Sequence, residues 1–385
     1  LARIVMVEGN TDDDRHITWL YDTRTENFPA IETDNDDPSA ILYTSGTTGF
    51  PKGATLSQFN VISNVNAVIY HIRSQQDDVL HLFLPLFHCF GQNFIMNSAI
   101  KKGAALVIHR RFEPDQVIEA VKKHKVTMFF AVPTIYIYLL NMKDKNLDFS
   151  SVRYFFTAAA SMPLEVAENW KAKYGIPIND GYGLTECAPF AAYNHDYRHK
   201  PGSIGHPVIN TEIKIVNSNG ATVAPGEWGE ICIKGPSVMK GYWNRHEETS
   251  NTIINEWLYT GDVGTQDEDG DFFIVDRVKD MIISAGNNIY PTEVENHLYS
   301  HPAVHEAAVF GIPDEIKGEA VKASIVLRPG ESITAEEMIA FCRERMAKYK
   351  VPKQVEFINE LPKSPTGKIL KRVLRKETQA RTSIF

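Results

Sequence analysis

Between residues 40 and 174, short apolar runs alternate with segments of helical period. The runs 40–43, 127–132 and 154–160 are bounded by turn residues, too short for helices and suited to buried strands. Helix-like segments begin at Ser57 and cover 114–124, 134–142 and 163–174. Pro114 and Pro163 open two of them, where a missing N–H costs nothing. Strands that alternate with helices predict a parallel α/β sheet. From Thr211 the texture becomes β-rich: 212–216 alternates, 217–220 (Asn-Ser-Asn-Gly) supplies a turn, and Ile231 and Ile233 alternate with polar neighbours. A second α/β pattern follows Arg277, with helix-like 291–299, strand-like 307–310 and 320–327, and helix-like 335–348. A domain boundary is expected near 277–280, and no fixed-period repeat is present.

A chain of 385 residues is too long for one core. Its net charge of −8 argues against a nucleic-acid partner. Its apolar stretches fall far short of the roughly 18 residues of a membrane helix, so no transmembrane segment is expected. Cys89, Cys187, Cys232 and Cys342 lie far apart, without a Cys-x-x-Cys pair. They fit neither a disulfide framework nor a zinc site, but a reducing, cytoplasmic compartment. Residues 10–38 are acidic and read as a solvated connector. The chain starts at Leu1 with neither Met nor a signal-peptide pattern, and is read as starting inside a longer protein.

The strongest chemical signal is Tyr43-Thr44-Ser45-Gly46-Thr47-Thr48-Gly49-Phe50-Pro51-Lys52-Gly53. Glycines let N–H groups point inward as an anion nest. Hydroxyls add donors, and Lys52 adds a mobile positive charge for phosphate. The spacing of Gly46 and Lys52 does not fit the G-x-x-x-x-G-K-[ST] loop of nucleoside triphosphatases. A flexible Ser/Gly linker is the bland alternative, and the apolar run just before the loop argues against it.

This loop resembles the signature of the adenylate-forming (AMP-binding) family, which includes acyl-CoA synthetases, aryl-CoA ligases, luciferases and peptide-synthetase adenylation domains. Further segments follow in the family's order. Asp180-Gly181-Tyr182-Gly183-Leu184-Thr185-Glu186 is similar to its adenine-and-magnesium motif. Gly229-Glu230 through Gly241-Tyr242-Trp243 resembles its β-rich structural motif, and Tyr259-Thr260-Gly261-Asp262 its ribose motif. Asp276-Arg277-Val278-Lys279-Asp280 through Gly286, with Pro291, Glu293 and Glu295, resembles the hinge region. Pro362-Lys363-Ser364-Pro365-Thr366-Gly367-Lys368 resembles the C-terminal lysine motif.

The resemblance implies an α/β fold in three parts. A large N-terminal domain (1–277) is incomplete at its start and β-rich over about 205–277. A hinge (278–280) turns on Lys279, and a small mobile α+β C-terminal domain (281–385) carries the catalytic lysine. It implies activation of a carboxylic acid by ATP to an acyl-adenylate, then transfer to coenzyme A. The phosphopantetheine arm of an acyl carrier protein is an alternative acceptor. A luciferase-like oxidation is disfavoured, and a noncatalytic nucleotide-binding relative is the rival from another class.

Thr44, Ser45, Gly46, Thr47, Thr48, Gly49 and Lys52 are then expected at the β- and γ-phosphates. Glu186 is expected to hold Mg²⁺, which prefers hard oxygen donors, and Thr185 to reach the α-phosphate. Asp180, Gly181, Tyr182 and Gly183 are expected around adenine, and Asp262 and Arg277 at the ribose. Lys368 is expected to bridge carboxylate and α-phosphate. The surrounding basic run, Lys371 and Lys376 included, is read as solvated. Gly286 resembles the glycine beside which a thiol arm enters, and equally reads as a turn glycine before Asn287-Asn288.

His88 in Leu84-Pro85-Leu86-Phe87-His88-Cys89-Phe90-Gly91 either gates the acyl site or packs. No aspartate lies in 84–97 to hold an amino group, so an amino-acid substrate is disfavoured. Thr157-Ala158-Ala159-Ala160 stands where many relatives carry glycines. With Phe87 and Val132, the three alanines suggest a fatty or other apolar acid.

Overall fold

The computed structural model describes residues 31–44, 51–142, 147–364 and 369–382. Ser45, Gly46, Thr47, Thr48, Gly49 and Lys368 lie outside the described residues. So does most of the acidic connector.

The chain from Pro38 opens as a hairpin of β1 (Pro38–Thr44) and β2 (Lys52–Ser57), antiparallel, with Thr44 opposite Lys52. Residues 40–43 therefore form an antiparallel strand paired with β2, where a strand of the parallel sheet was the expectation. Ser57 then caps α1 (Gln58–His71): its hydroxyl accepts from the Asn60 N–H while the Asn60 side chain accepts from the Ser57 N–H.

The expected parallel sheet follows. It is built from β3 (Val79–Leu82), a π-helical turn at Phe90–Asn97 that runs into α2 (Ser98–Lys102), β4 (Ala105–Ile108), α3 (Pro114–His124), β5 (Met128–Ala131), α4 (Pro133–Asn141), β6 (Tyr154–Thr157), α5 (Leu164–Tyr174) and β7 (Ile178–Tyr182). Two short antiparallel strands, β8 (Ala192–Tyr193) and β9 (His206–Pro207), complete the order β4-β3-β5-β6-β7-β8-β9. β5 and β6 are buried throughout, as the continuous apolar runs require. Phe129, Phe130, Phe155, Phe156 and Trp170 fill this core.

The β-rich part is an antiparallel sheet of β10 (Glu212–Val216), β11 (Trp228–Lys234), β13 (Ile253–Ile254), β14 (Trp257–Gln266) and β15 (Phe272–Arg277). Between β11 and β13 the chain leaves this sheet. There β12 (Gly241–Tyr242) pairs with β2 of the hairpin, and α6 (His246–Thr252) brings the chain back. After a turn at 278–280 comes a smaller C-terminal part. It holds β16 (Ile282–Ser284), β17 (Asn287–Ile289), α7 (Pro291–Tyr299), β18 (Val304–Asp314), β19 (Gly318–Leu327), α8 (Ala335–Arg343), β20 (Gln354–Phe357) and α9 (Lys371–Thr382). Its sheet is mixed, with β19 antiparallel to β18 and parallel to β20. No helix among the described residues is long and apolar enough to cross a membrane.

Candidate active site

Two linked groups of side chains gather at the ends of these elements. The first joins the hairpin to the segment after β7. Lys52, first residue of β2, places its ammonium 5.0 Å from the centroid of the Tyr242 ring. The Tyr242 hydroxyl donates to Glu186 Oε1 at 2.8 Å. Glu186 sits on a short 3₁₀ turn (Thr185–Cys187) and is only 8% exposed. Beside it the Thr185 hydroxyl lies 3.5 Å from Cys89 Sγ. Burial, then the charge of Glu186, raise the Tyr242 hydroxyl well above the ordinary phenol range, so it remains a donor. Thr44, across from Lys52, donates weakly to the Lys52 carbonyl at 3.4 Å.

The second group lies where β7 meets β14. Asp262 is 5% exposed; its Oδ2 accepts from the Tyr182 hydroxyl at 2.8 Å and its Oδ1 from Arg277 Nε at 2.9 Å. β14 and β15 pair Asp262 directly with Arg277, so the ion pair follows from strand register. Each carboxylate oxygen has more than one lone pair, so these two bonds leave it further acceptor capacity. Burial pushes the Asp180 carboxyl up to about 8, so near neutral pH it can donate as well as accept.

The glycines of this motif have a packing cause. A Cβ on Gly181 would lie 2.2 Å from the Phe156 ring, and one on Gly183 would lie 1.6 Å from the Pro189 carbonyl oxygen. Other expectations fall differently. Lys371 is not solvated: its ammonium pairs with Glu295 at 2.8 Å and is 17% exposed, in a helix, α9, that packs against β18. Lys376 is exposed, as expected, and so is Lys279. Gly286 has φ +78 and follows Ala285 at φ 48, in the two-residue hairpin between β16 and β17. A left-handed turn accounts for the glycine, and a Cβ there would meet nothing within 4 Å.

The residues expected around the acyl group are spread over different depths. Val132 is buried at 5% exposure, whereas Phe87 is 66% exposed and Ala159 and Ala160 are also exposed. Ala158 is half-buried. β6 stops at Thr157, and Ala159 takes φ 73, a conformation that favours glycine. The half-buried His88 accepts from the Phe90 N–H through Nδ1 at 3.2 Å, an arrangement that orders its own turn.

The sequence reading missed Tyr242, which it placed in a structural motif only, and the asparagines that hold the Glu186 segment. Asn64 on α1 donates to the carbonyls of Cys187 and Phe190 at 3.1 and 2.9 Å, and Asn93 donates to that of Ala188 at 3.3 Å. The signal available was polar residues on otherwise apolar helical faces.

The profile of the family described as AMP-binding enzyme matches residues 4–243, and that described as AMP-binding enzyme C-terminal domain matches 293–368. A long-chain-fatty-acid–CoA ligase of Bacillus subtilis (strain 168) is 43% identical over 359 residues, 91% of this chain and 64% of the relative. A feruloyl-CoA synthase of an Amycolatopsis species is 40% identical over 92% of this chain and 73% of the relative. The chain thus spans less than two thirds of the Bacillus relative's length. Among solved structures, ATP-bound MatB from Rhodopseudomonas palustris superposes with a TM-score of 0.89 at 33% identity, covering 95% of this chain and 73% of that one. The apo form of MatB superposes at 0.75 over the same shares.

Proposed function

This chain belongs to the family of AMP-binding enzymes, and from that premise we propose that it is an AMP-forming acyl-CoA synthetase. It converts a carboxylic acid and ATP to an acyl-adenylate and pyrophosphate, then passes the acyl group to the thiol of coenzyme A. The observation that carries this reading is the presence of two groups, Lys52–Tyr242–Glu186 and Tyr182–Asp262–Arg277, with the Glu186 charge felt at Arg277. Both reactants are anionic, so cations and donors must meet the charge that develops on phosphate. Lys52, Thr44 and the 45–49 loop serve the β- and γ-phosphates, and Thr185 the α-phosphate. Asp262, fixed by Tyr182 and Arg277, takes the ribose hydroxyls. Asp180 and the Tyr182 ring, held by the close-packed Gly181 and Gly183, border adenine.

Glu186 and Thr185 are hard oxygen donors beside the phosphate hairpin, a set that suits Mg²⁺. Bound there, the metal would neutralise phosphate charge. Lys368 comes from the small domain (281–385) to bridge carboxylate and α-phosphate. That domain turns about Lys279 in 278–280 against the large domain (1–277), and Gly286 then borders the thiol arm. The relatives named for long-chain fatty acids and feruloyl-CoA favour an apolar acid, as do Phe87, Val132, Ala158, Ala159 and Ala160. The free, buried cysteines fit a cytoplasmic setting.

ATP–pyrophosphate exchange with a panel of fatty and aryl acids tests the reading, followed by thioester formation with coenzyme A or a holo acyl carrier protein. Exchange with no acid would refute adenylation. Transfer to the carrier protein alone would replace coenzyme A as acceptor.

A further inference from the structure

The turn at 278–280 is bracketed by contacts of two kinds. Arg375 on α9 pairs with Asp280 at 3.3 Å and donates to its carbonyl at 3.5 Å, and Lys371 pairs with Glu295. These partners all lie at 280 or later, so they bind the C-terminal part to itself. The other contacts cross the turn. Asp276, two residues before it and 5% exposed, accepts from the Thr292 N–H through Oδ2 at 2.8 Å and from the Arg277 N–H through Oδ1 at 2.7 Å. The indole of Trp228 on β11 meets the Tyr290 ring edge-on, centroids 4.7 Å apart.

Whereas a third, weaker contact joins Asn141 Nδ2 to His305 Nδ1 at 3.5 Å, both of these reach the first turn of α7. That turn needs an outside partner. Tyr290, at the N-cap position, makes no capping bond with its side chain, and Pro291 has no N–H. Thr292 therefore carries the first free donor of a helix end that is also partially positive. A carboxylate 16 residues earlier fills the cap. Burial opposes charge on Lys371 behind it, yet Glu295 and then Asp276 hold that ammonium above its ordinary range. In this arrangement the Gly286 hairpin is exposed, and the structure superposes better on ATP-bound MatB than on apo MatB.

We propose that Asp276 is a positioning residue that caps α7 across the 278–280 turn and holds the C-terminal part in the orientation used for adenylate formation. The cap opens when the C-terminal part turns for thioester formation. This rests on the two-step reading above. Asp276→Ala removes the acceptor and Asp276→Asn keeps a neutral one; Trp228→Leu removes the ring contact to Tyr290 at an exposed site.

The two half-reactions are run separately on the full chain. A label pair on α5 and α8 also reports the distance between the two parts, with no chemistry required. Asp276→Ala is expected to lose about tenfold in adenylation, the scale of one charge-assisted hydrogen bond. Thioester formation from preformed acyl-adenylate stays within twofold. Asp276→Asn recovers most of the loss, Trp228→Leu shifts the same ratio, and the label distance broadens in both Asp276→Ala and Trp228→Leu. Equal loss in both half-reactions, or an unchanged ratio and distance, overturns the proposal. A wild-type chain that activates no acid would sink the enzymatic reading, while the distances would still decide the cap.

Discussion

Tyr242→Phe isolates the link between the β1–β2 hairpin and the carboxylate expected to hold Mg²⁺. The change deletes one O–H donor, 2.8 Å from Glu186 Oε1, and leaves the ring under Lys52. A hydrogen bond to a charged group contributes about 1.5–3 kcal/mol. Glu186 is nearly buried, so water replaces the lost donor poorly. About 2 kcal/mol, realised when the carboxylate must hold metal and phosphate together, corresponds to roughly 30-fold in rate. Tyr242→Leu also removes the cation–π contact, about 0.5–1 kcal/mol, for roughly two- to fivefold more. The assay is ATP–pyrophosphate exchange across a magnesium titration, with thermal unfolding alongside. The expected signature is a higher Mg²⁺ requirement in Tyr242→Phe, with rates partly restored at saturating metal and little loss of stability. Glu186→Gln sets the scale, with an expected loss of order 10²-fold. If Tyr242→Phe matches wild type at limiting Mg²⁺ while Glu186→Gln does not, Tyr242 does not orient Glu186.

Lys368→Ala should lose adenylation by about 10²–10³-fold yet still make thioester from preformed acyl-adenylate, whereas Lys52→Ala should be milder because loop N–H groups and hydroxyls remain. Equal failure of Lys368→Ala in both assays would assign that lysine to structure or thiol binding. Acid should destabilise the fold through His71 and His81, which burial pulls down to about 4 and about 3, neighbouring histidines adding to the shift. Below about pH 6.5 the unfolded chain binds protons that these two native rings refuse, so stability falls with pH, by about 2 kcal/mol per ring at pH 5. Urea unfolding at pH 7.5 and 5 should show about half that dependence in His81→Phe, and an unaltered slope would exclude His81 as a source. Ala159→Gly should stabilise the fold by about 0.5–1 kcal/mol, since φ 73 disfavours a side chain; a loss of stability in thermal unfolding would contradict the strain.

The regular elements were legible because local rules decide them. The 114–124 segment reads as helix from its period and opening proline, and folds as one over those residues. The segment 291–299 does the same. The 127–132 and 154–160 runs read too long, since both overran the turns at the strand ends. At 158–160 three alanines look like strand, but the backbone must swing through a left-handed residue there. The hairpin was illegible for a different reason. Residues 40–43 carry the same apolar signal whether the partner strand is parallel or antiparallel, and only the pairing of Leu42 with Ala54 and Tyr43 with Gly53 distinguishes them.

The candidate site divides in the same way. The resemblance to the adenylate-forming family picked out Glu186, Asp262 and Arg277, whereas Lys52 also stood out among the glycines and hydroxyls of its own loop. It did not reveal which of them touch. Asp262 and Arg277 are 15 residues apart and meet because one antiparallel register sets them opposite each other. Tyr242 is 56 residues from Glu186 and reaches it because β12 leaves the β-rich sheet to pair with β2. Lys371 reads as one more surface charge until α9 lays it against Glu295. Each of these is a long-range contact whose partner is fixed by sheet pairing or helix packing, and no window along the chain contains both ends. The sequence therefore nominates the candidate groups, while the bonds that aim them depend on strands that exchange sheets. On that argument, changes that weaken β12 pairing, such as a proline at Gly241, should disturb Glu186 before they disturb the parallel core.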